Sequence, residues 1–177
     1  PGPRGDGARR GEPREARSPQ GDALSTSPRP AFALWNLGFR PFYLLASAFA
    51  AISVALWVLQ YSGVIAGGLM SGSAYHAHEM LFGYAIAVIV GFLLTAVRNW
   101  TQRDTPSGAP LAAIALLWIA GRVLVLTPFV LTAAVVNALF PLAVAVGIGV
   151  PLFASGNRRN YFFVALLVAA SAAVLVF

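Results

Sequence analysis

The sequence predicts an all-α, polytopic transmembrane helix bundle with five visible spans and a disordered amino-terminal tail. Three observations lead there. The chain is 58% hydrophobic and only 10% charged, with a mean hydropathy of +0.74. Its apolar residues gather into uncharged or nearly uncharged runs of roughly 18 residues, the length that crosses a bilayer as a helix. Its twelve basic residues are all arginine, and beyond the tail all but Arg122 precede the first run or follow the second and fourth.

Residues 1–30 are rich in Pro, Gly and Arg and nearly free of apolar side chains, so they cannot bury enough surface to offset the entropy of ordering. Arg9-Arg10 forms a twin arginine, but no hydrophobic stretch follows it within signal-peptide distance, which argues against a cleaved leader. Residues 31–177 form the helical domain. Its first span runs from Phe42 to Leu59 and the second from Met80 to Val97. The third, Leu111 to Leu126, is interrupted by Arg122. The fourth covers Phe129 to Phe153, and the fifth starts at Tyr161 and is cut at Phe177. With no polar exit there, the chain reads as a fragment, truncated at its carboxy end. The absence of cysteine excludes disulfides, thiolate metal sites and iron–sulfur ligation by this segment.

The arginines set an orientation. A sequence pI near 10.8 could suggest nucleic acid, but the positions argue for a bilayer as partner instead. Arg40 precedes the first span, Arg98 and Arg103 follow the second, and Arg158 and Arg159 follow the fourth. The Tyr61–Tyr75 loop and the Thr127-Pro128 link carry no Arg or Lys. Retained loops carry the positive charge, so the amino terminus is expected in the cytoplasm and the Tyr61–Tyr75 loop outside. Trp57, Tyr61, Tyr75 and Trp100 fall near span ends, as an aromatic belt would place them.

The chemistry-bearing residues concentrate at the outer start of the second span. Both histidines of the chain lie in Tyr75-His76-Ala77-His78-Glu79-Met80, and Glu79 is one of two carboxylates after Asp22. Ionisable groups entering hydrocarbon are costly and mark functional sites by default, and imidazole suits haem iron and copper. If the helix begins near Ser73, a fitting N-cap, His76 and His78 are about 200° apart around it. They then cannot both ligate one metal from a regular helix, so either they serve different centres or His76 sits before the helix and folds back. On the helix, His76 shares a face with Glu79, Met80 and Gly83. The plain account is a pair of interfacial histidines in water, with Glu79 complementing the helix dipole.

Three further features belong to the same end or face. Arg122 sits one turn inside the outer end of the third span, at the depth of Glu79. It either snorkels to the surface or pairs with Glu79 or a haem propionate, for which its planar fork is suited. Gly83, Ala87, Gly91 and Thr95 recur every four residues, a small-residue stripe that admits a neighbouring helix or a flat cofactor, ordinary helix packing being the simpler expectation. Pro141 removes the hydrogen bond to the Asn137 carbonyl, so a kink re-satisfied by the Asn137 side chain is expected there.

Several stretches together resemble the NnrS family. They are Leu34-Trp35-Asn36-Leu37-Gly38-Phe39-Arg40-Pro41-Phe42, His76-Ala77-His78-Glu79-Met80-Leu81-Phe82-Gly83-Tyr84, Gly91-Phe92-Leu93-Leu94-Thr95-Ala96-Val97, Asn99-Trp100-Thr101 and Trp118-Ile119-Ala120-Gly121-Arg122. Arg98 stands where that family's pattern has proline. The resemblance implies a bacterial inner-membrane protein of about a dozen helices that binds haem and copper and serves the response to nitric oxide, often beside denitrification. It also implies that His76, His78 and Glu79 match the family's histidine motif and Arg122 its third-span arginine, with further histidines in the carboxy-terminal half. Nitric oxide is then the expected ligand, and nothing in the sequence implies turnover. A multi-pass transporter using Glu79, Arg122 and the Asn137–Pro141 break as a polar pathway, or a metal-free scaffold, are the rival classes.

Overall fold

A computed structural model describes Gly2, residues 33–65 and residues 72–176. The expected disordered tail, apart from Gly2, and Phe177 lie outside the described residues. A short 3₁₀ turn, Ala33–Asn36, leads into α1 (Phe39–Tyr61). After the 61–72 connection, α2 (Gly72–His78) passes without a break into a π-helical segment, Glu79–Ala85, and then into α3 (Ile86–Thr101). Next come α4 (Ala109–Leu124), α5 (Val130–Ala154), a 3₁₀ turn at Arg158–Asn160, and α6 (Tyr161–Val176). No strand occurs among the described residues.

Local chemistry places the boundaries. Pro41 falls in the first turn of α1, where its missing N–H removes nothing. That helix ends where Ser62 N–H bonds the Val58 carbonyl and Gly63 turns left-handed, the usual glycine stop. α3 stops at Gln102, whose φ of 53° is left-handed, and α4 starts beyond Gly108 with Pro110 in its first turn. The first two predicted runs lie inside their helices; α4 ends two residues before Leu126, α5 starts one residue after Phe129, and α6 covers the fifth run from Tyr161 to Val176. Four helical stretches are long and apolar enough to cross a membrane: Phe39–Tyr61, Gly72–Thr101, Val130–Ala154 and Arg158–Val176. Ala109–Leu124, at 16 residues, is apolar but shorter than the roughly 20 residues of an average span.

α5 packs against α3, α4 and α6, and α3 in turn packs on α1. The fully buried centre includes Phe42, Val90, Leu93, Leu94, Val144 and Ile148. Lipid tails are as apolar as these side chains, so close packing and interhelical hydrogen bonds, rather than water release, hold such helices together. The small-residue stripe lies in this contact. A Cβ on Gly91 would sit 3.0 Å from Phe42 Cβ, Ala87 has no exposed surface, and the Thr95 hydroxyl accepts the Phe39 N–H at 3.3 Å.

The antiparallel course of α3, α4 and α5 brings Arg98, Arg103 and Asp104 to one end of the helical body. Gly108 N–H bonds the Trp35 carbonyl at 2.8 Å there, and Arg98, Arg103, Asp104 and Ala154 line a common cleft. Arg98 pairs with Asp104 at 3.1 Å, with both side chains exposed. The opposite end carries the α2 histidines and the α4–α5 link.

Candidate functional site

The site is built where α2 meets the π segment. A π turn carries an extra residue per turn, is rare, and recurs at functional sites. Here its first residue is Glu79, at the histidine end of α3, and the widened turn faces α4. Glu79 is 1% exposed, His78 3%, Asn137 5% and Arg122 8%, so four polar side chains are buried inside a bundle of membrane-length helices.

Their contacts form one chain. Glu79 Oε1 meets His78 Nδ1 at 2.7 Å and accepts from Arg122 Nη1 at 2.7 Å. Arg122 Nη2 donates to Asn137 Oδ1. The Asn137 amide in turn donates to the Ala133 carbonyl at 2.8 Å and the Gly121 carbonyl at 3.3 Å. Two glycines make room: a Cβ on Gly83 would lie 2.8 Å from Arg122 Nη1, and one on Gly121 would lie 2.6 Å from Asn137 Oδ1. Trp118 Nε1 donates to the Gly83 carbonyl at 3.1 Å, tying α4 to the π segment. Phe49 of α1 stands edge-on to Trp118 at 5.3 Å, with the Arg122 guanidinium 5.8 Å from its ring centre. Charges in so dry a setting must be paired and hydrogen-bonded to persist. The Arg122 fork is spent on Glu79 and Asn137, and only its Nε is buried without a hydrogen-bond partner.

His76 lies elsewhere. Its ring stacks on Trp57 of α1 at 4.4 Å and 26°, and its Nδ1 is buried with no hydrogen-bond partner. Trp57 Nε1 and Gln60 Oε1, one turn apart on α1, are buried and unpartnered as well. Thus Glu79 and Arg122 are brought together, and the two histidines are separated. Helical geometry at 3.6 residues per turn put His76 on the face of Glu79; the structure joins Glu79 to His78 instead. The π segment begins only at Glu79, so the steps from His76 to Glu79 remain those of an ordinary helix; the bond forms because the His78 ring reaches the carboxylate of its chain neighbour.

Sequence reasoning missed Trp118, Phe49, Trp57 and Gln60 as parts of this region. It read Asn137 as serving local backbone, which its bond to the Ala133 carbonyl does, but not as the bridge between α4 and α5 that its contacts with Gly121 and Arg122 make. The usable signal was cost: an amide at membrane depth needs partners, and Arg122 was the unmatched group at the same end. Among the described residues no three His, Cys, Asp or Glu side chains converge as a metal cluster.

A buried arginine–carboxylate pair locked inside membrane-length helices defines a polytopic membrane protein with a polar site in its interior. The family model described as NnrS protein matches residues 33–177, and the chain belongs to the NnrS family. No curated protein and no solved structure matches it.

Proposed function

We propose that this chain is part of a haem- and copper-binding protein of the bacterial inner membrane that serves the response to nitric oxide. Family membership supports the class, and one observation in the chain itself carries the metal reading. His76 presents a buried imidazole nitrogen with no hydrogen-bond partner, beside an ion-paired cluster that fixes the same helix. An unsatisfied buried nitrogen costs free energy, and coordination of copper or haem iron is one way to satisfy it. Held through imidazole, such a metal would supply the binding of a diatomic ligand such as nitric oxide. The residues around it have the other tasks. Glu79 and Arg122 neutralise each other and hold the α2–π junction against α4, and Trp118 fixes the Gly83 carbonyl. Two histidines are too few to complete both a haem and a copper site, so this reading draws further ligands from outside the described residues.

The optical spectrum and metal content of the purified full-length protein test the reading. A Soret band and stoichiometric copper are expected. A protein with neither, but with substrate flux in vesicles, would instead be the transporter that a Glu79–Arg122–Asn137 pathway suggests. That rival is less well supported, because the Arg122 fork is closed on protein groups rather than facing a pathway.

The arginine-bearing end is proposed to face the cytoplasm, by the positive-inside rule. A reporter active only outside the cytoplasm is expected to work when fused after Gly68 and to be silent after Asp104. The opposite pattern would place the histidines on the cytoplasmic side.

A further inference from the structure

We propose that the arginine-bearing end of the bundle holds one anionic glycerophospholipid. Its phosphate lies in the cleft of Arg98 and Arg103, and an acyl chain lies in the aromatic groove between α1 and α3. The assignment involves no metal and concerns the end of the body opposite the histidines.

The sequence sets the depth. The apolar run of α3 ends at Val97, so Arg98 marks the level where hydrocarbon gives way to headgroups, and Trp100 follows as an interfacial aromatic. Asn99, Gln102, Arg103 and Asp104 continue the polar turn. With Arg98 they line a cleft of about 540 Å³ that Val150 and Pro151 of α5 also line. Basic pockets between transmembrane helices are where anionic headgroups bind, and the arginine fork suits phosphate oxygens. The charge has the right sign. Arg98 is paired with Asp104 at 3.1 Å, while Arg103 forms no ion pair among the described residues. The cleft therefore carries one positive charge in excess, which a single phosphodiester balances.

A second opening, of about 310 Å³, lies between α1 and α3 and adjoins the first at Asn99, which lines both. Its walls are largely aromatic: Phe39 and Tyr43 of α1, and Phe92 and Trp100 of α3. The Phe92 and Trp100 rings stand edge to face at 6.2 Å. A soluble phosphate gains nothing from such a groove, whereas a lipid fills both openings at once. A zwitterionic headgroup would also bring its cation toward Arg103; an anionic one does not.

Purified full-length protein in phosphatidylcholine vesicles is titrated with phosphatidylglycerol carrying brominated acyl chains, and quenching of tryptophan fluorescence reports occupancy beside Trp100. Wild type is expected to quench saturably, and Trp100→Phe should remove most of that signal. Arg98→Gln/Arg103→Gln should raise the fraction of phosphatidylglycerol needed by about fivefold for each arginine removed, with an unchanged melting temperature in lipid-free micelles. Asp104→Asn should lower it, because the carboxylate that competes for Arg98 is gone, and a gain of affinity cannot come from misfolding. Arg158→Gln/Arg159→Gln, at the same end but outside the cleft, should leave it nearly unchanged. Equal losses in the two double variants would reduce the effect to diffuse surface charge and overturn the site. So would weaker binding in Asp104→Asn, equal quenching by brominated phosphatidylethanolamine, or displacement of the lipid by inorganic phosphate at equal concentration.

Discussion

Arg122→Leu is expected to destabilise the protein by about 3–5 kcal/mol, the cost of removing one partner from a buried ion pair. The substitution leaves Glu79, 1% exposed, with His78 as its remaining side-chain partner and no permanent positive charge nearby. It also strips Asn137 Oδ1 of its donor. Adding Glu79→Gln to the same chain should restore much of the loss, because the uncompensated charge is then gone. Thermal unfolding in detergent micelles measures both. Arg98→Gln serves as the comparison, since its pair with Asp104 is exposed and such pairs are worth roughly 0–1 kcal/mol. If the single and double variants melt together, or if Arg98→Gln costs as much, the buried pair is not what holds α4 to the π segment.

The same pair shows what the sequence could and could not disclose. That Glu79 and Arg122 share a depth followed from counting turns in two hydrophobic runs, and their pairing at 2.7 Å was one of three fates that counting allowed. The helices themselves were legible because each span is a run of apolar residues ended by Gly, Pro or charge, a signal that depends on local composition alone. The π segment was not. Glu79–Ala85 contains no proline and no break in hydropathy, so nothing in its composition separates it from an ordinary helical turn. It is favoured by contacts from far along the chain, the Trp118 indole at the Gly83 carbonyl and Arg122 at Glu79. Nor could spacing tell that the Glu79 carboxylate would meet the ring of its chain neighbour His78 while His76 stacks on Trp57 of α1. Asn137 was read only in part: its bond to the Ala133 carbonyl on its own helix is the local task expected. Its spacing from Pro141 suggested a local task, while its connection to Gly121 and Arg122 depends on how α4 and α5 cross.

Gly83→Ala is the second large expected effect, and it tests whether the close approach at the π segment sets the site. The added Cβ would stand 2.6 Å from Phe49 Cε1 and 2.8 Å from Arg122 Nη1. Both are the ends of side chains, which in a loose environment could swing aside. Here Phe49 is held edge-on against Trp118, Trp118 is tied back to Gly83 itself, and Arg122 is fixed by Glu79 and Asn137. One of these contacts must yield, at a cost of about 1–3 kcal/mol for overpacking. A lowered melting temperature and a weakened hold on Glu79 are therefore expected together. Ala120→Leu, a larger enlargement at an exposed position of α4, should leave the melting temperature nearly unchanged. The sharper measurement places Gly83→Ala in the Glu79→Gln/Arg122→Leu background. With the guanidinium gone, half of the collision is gone, and the cost of the alanine should shrink by an interaction energy of roughly 0.5–3 kcal/mol. Strict additivity would mean that the absent side chain at position 83 serves Phe49 and α1 alone. Arg122 would then reach Glu79 without help from the glycine.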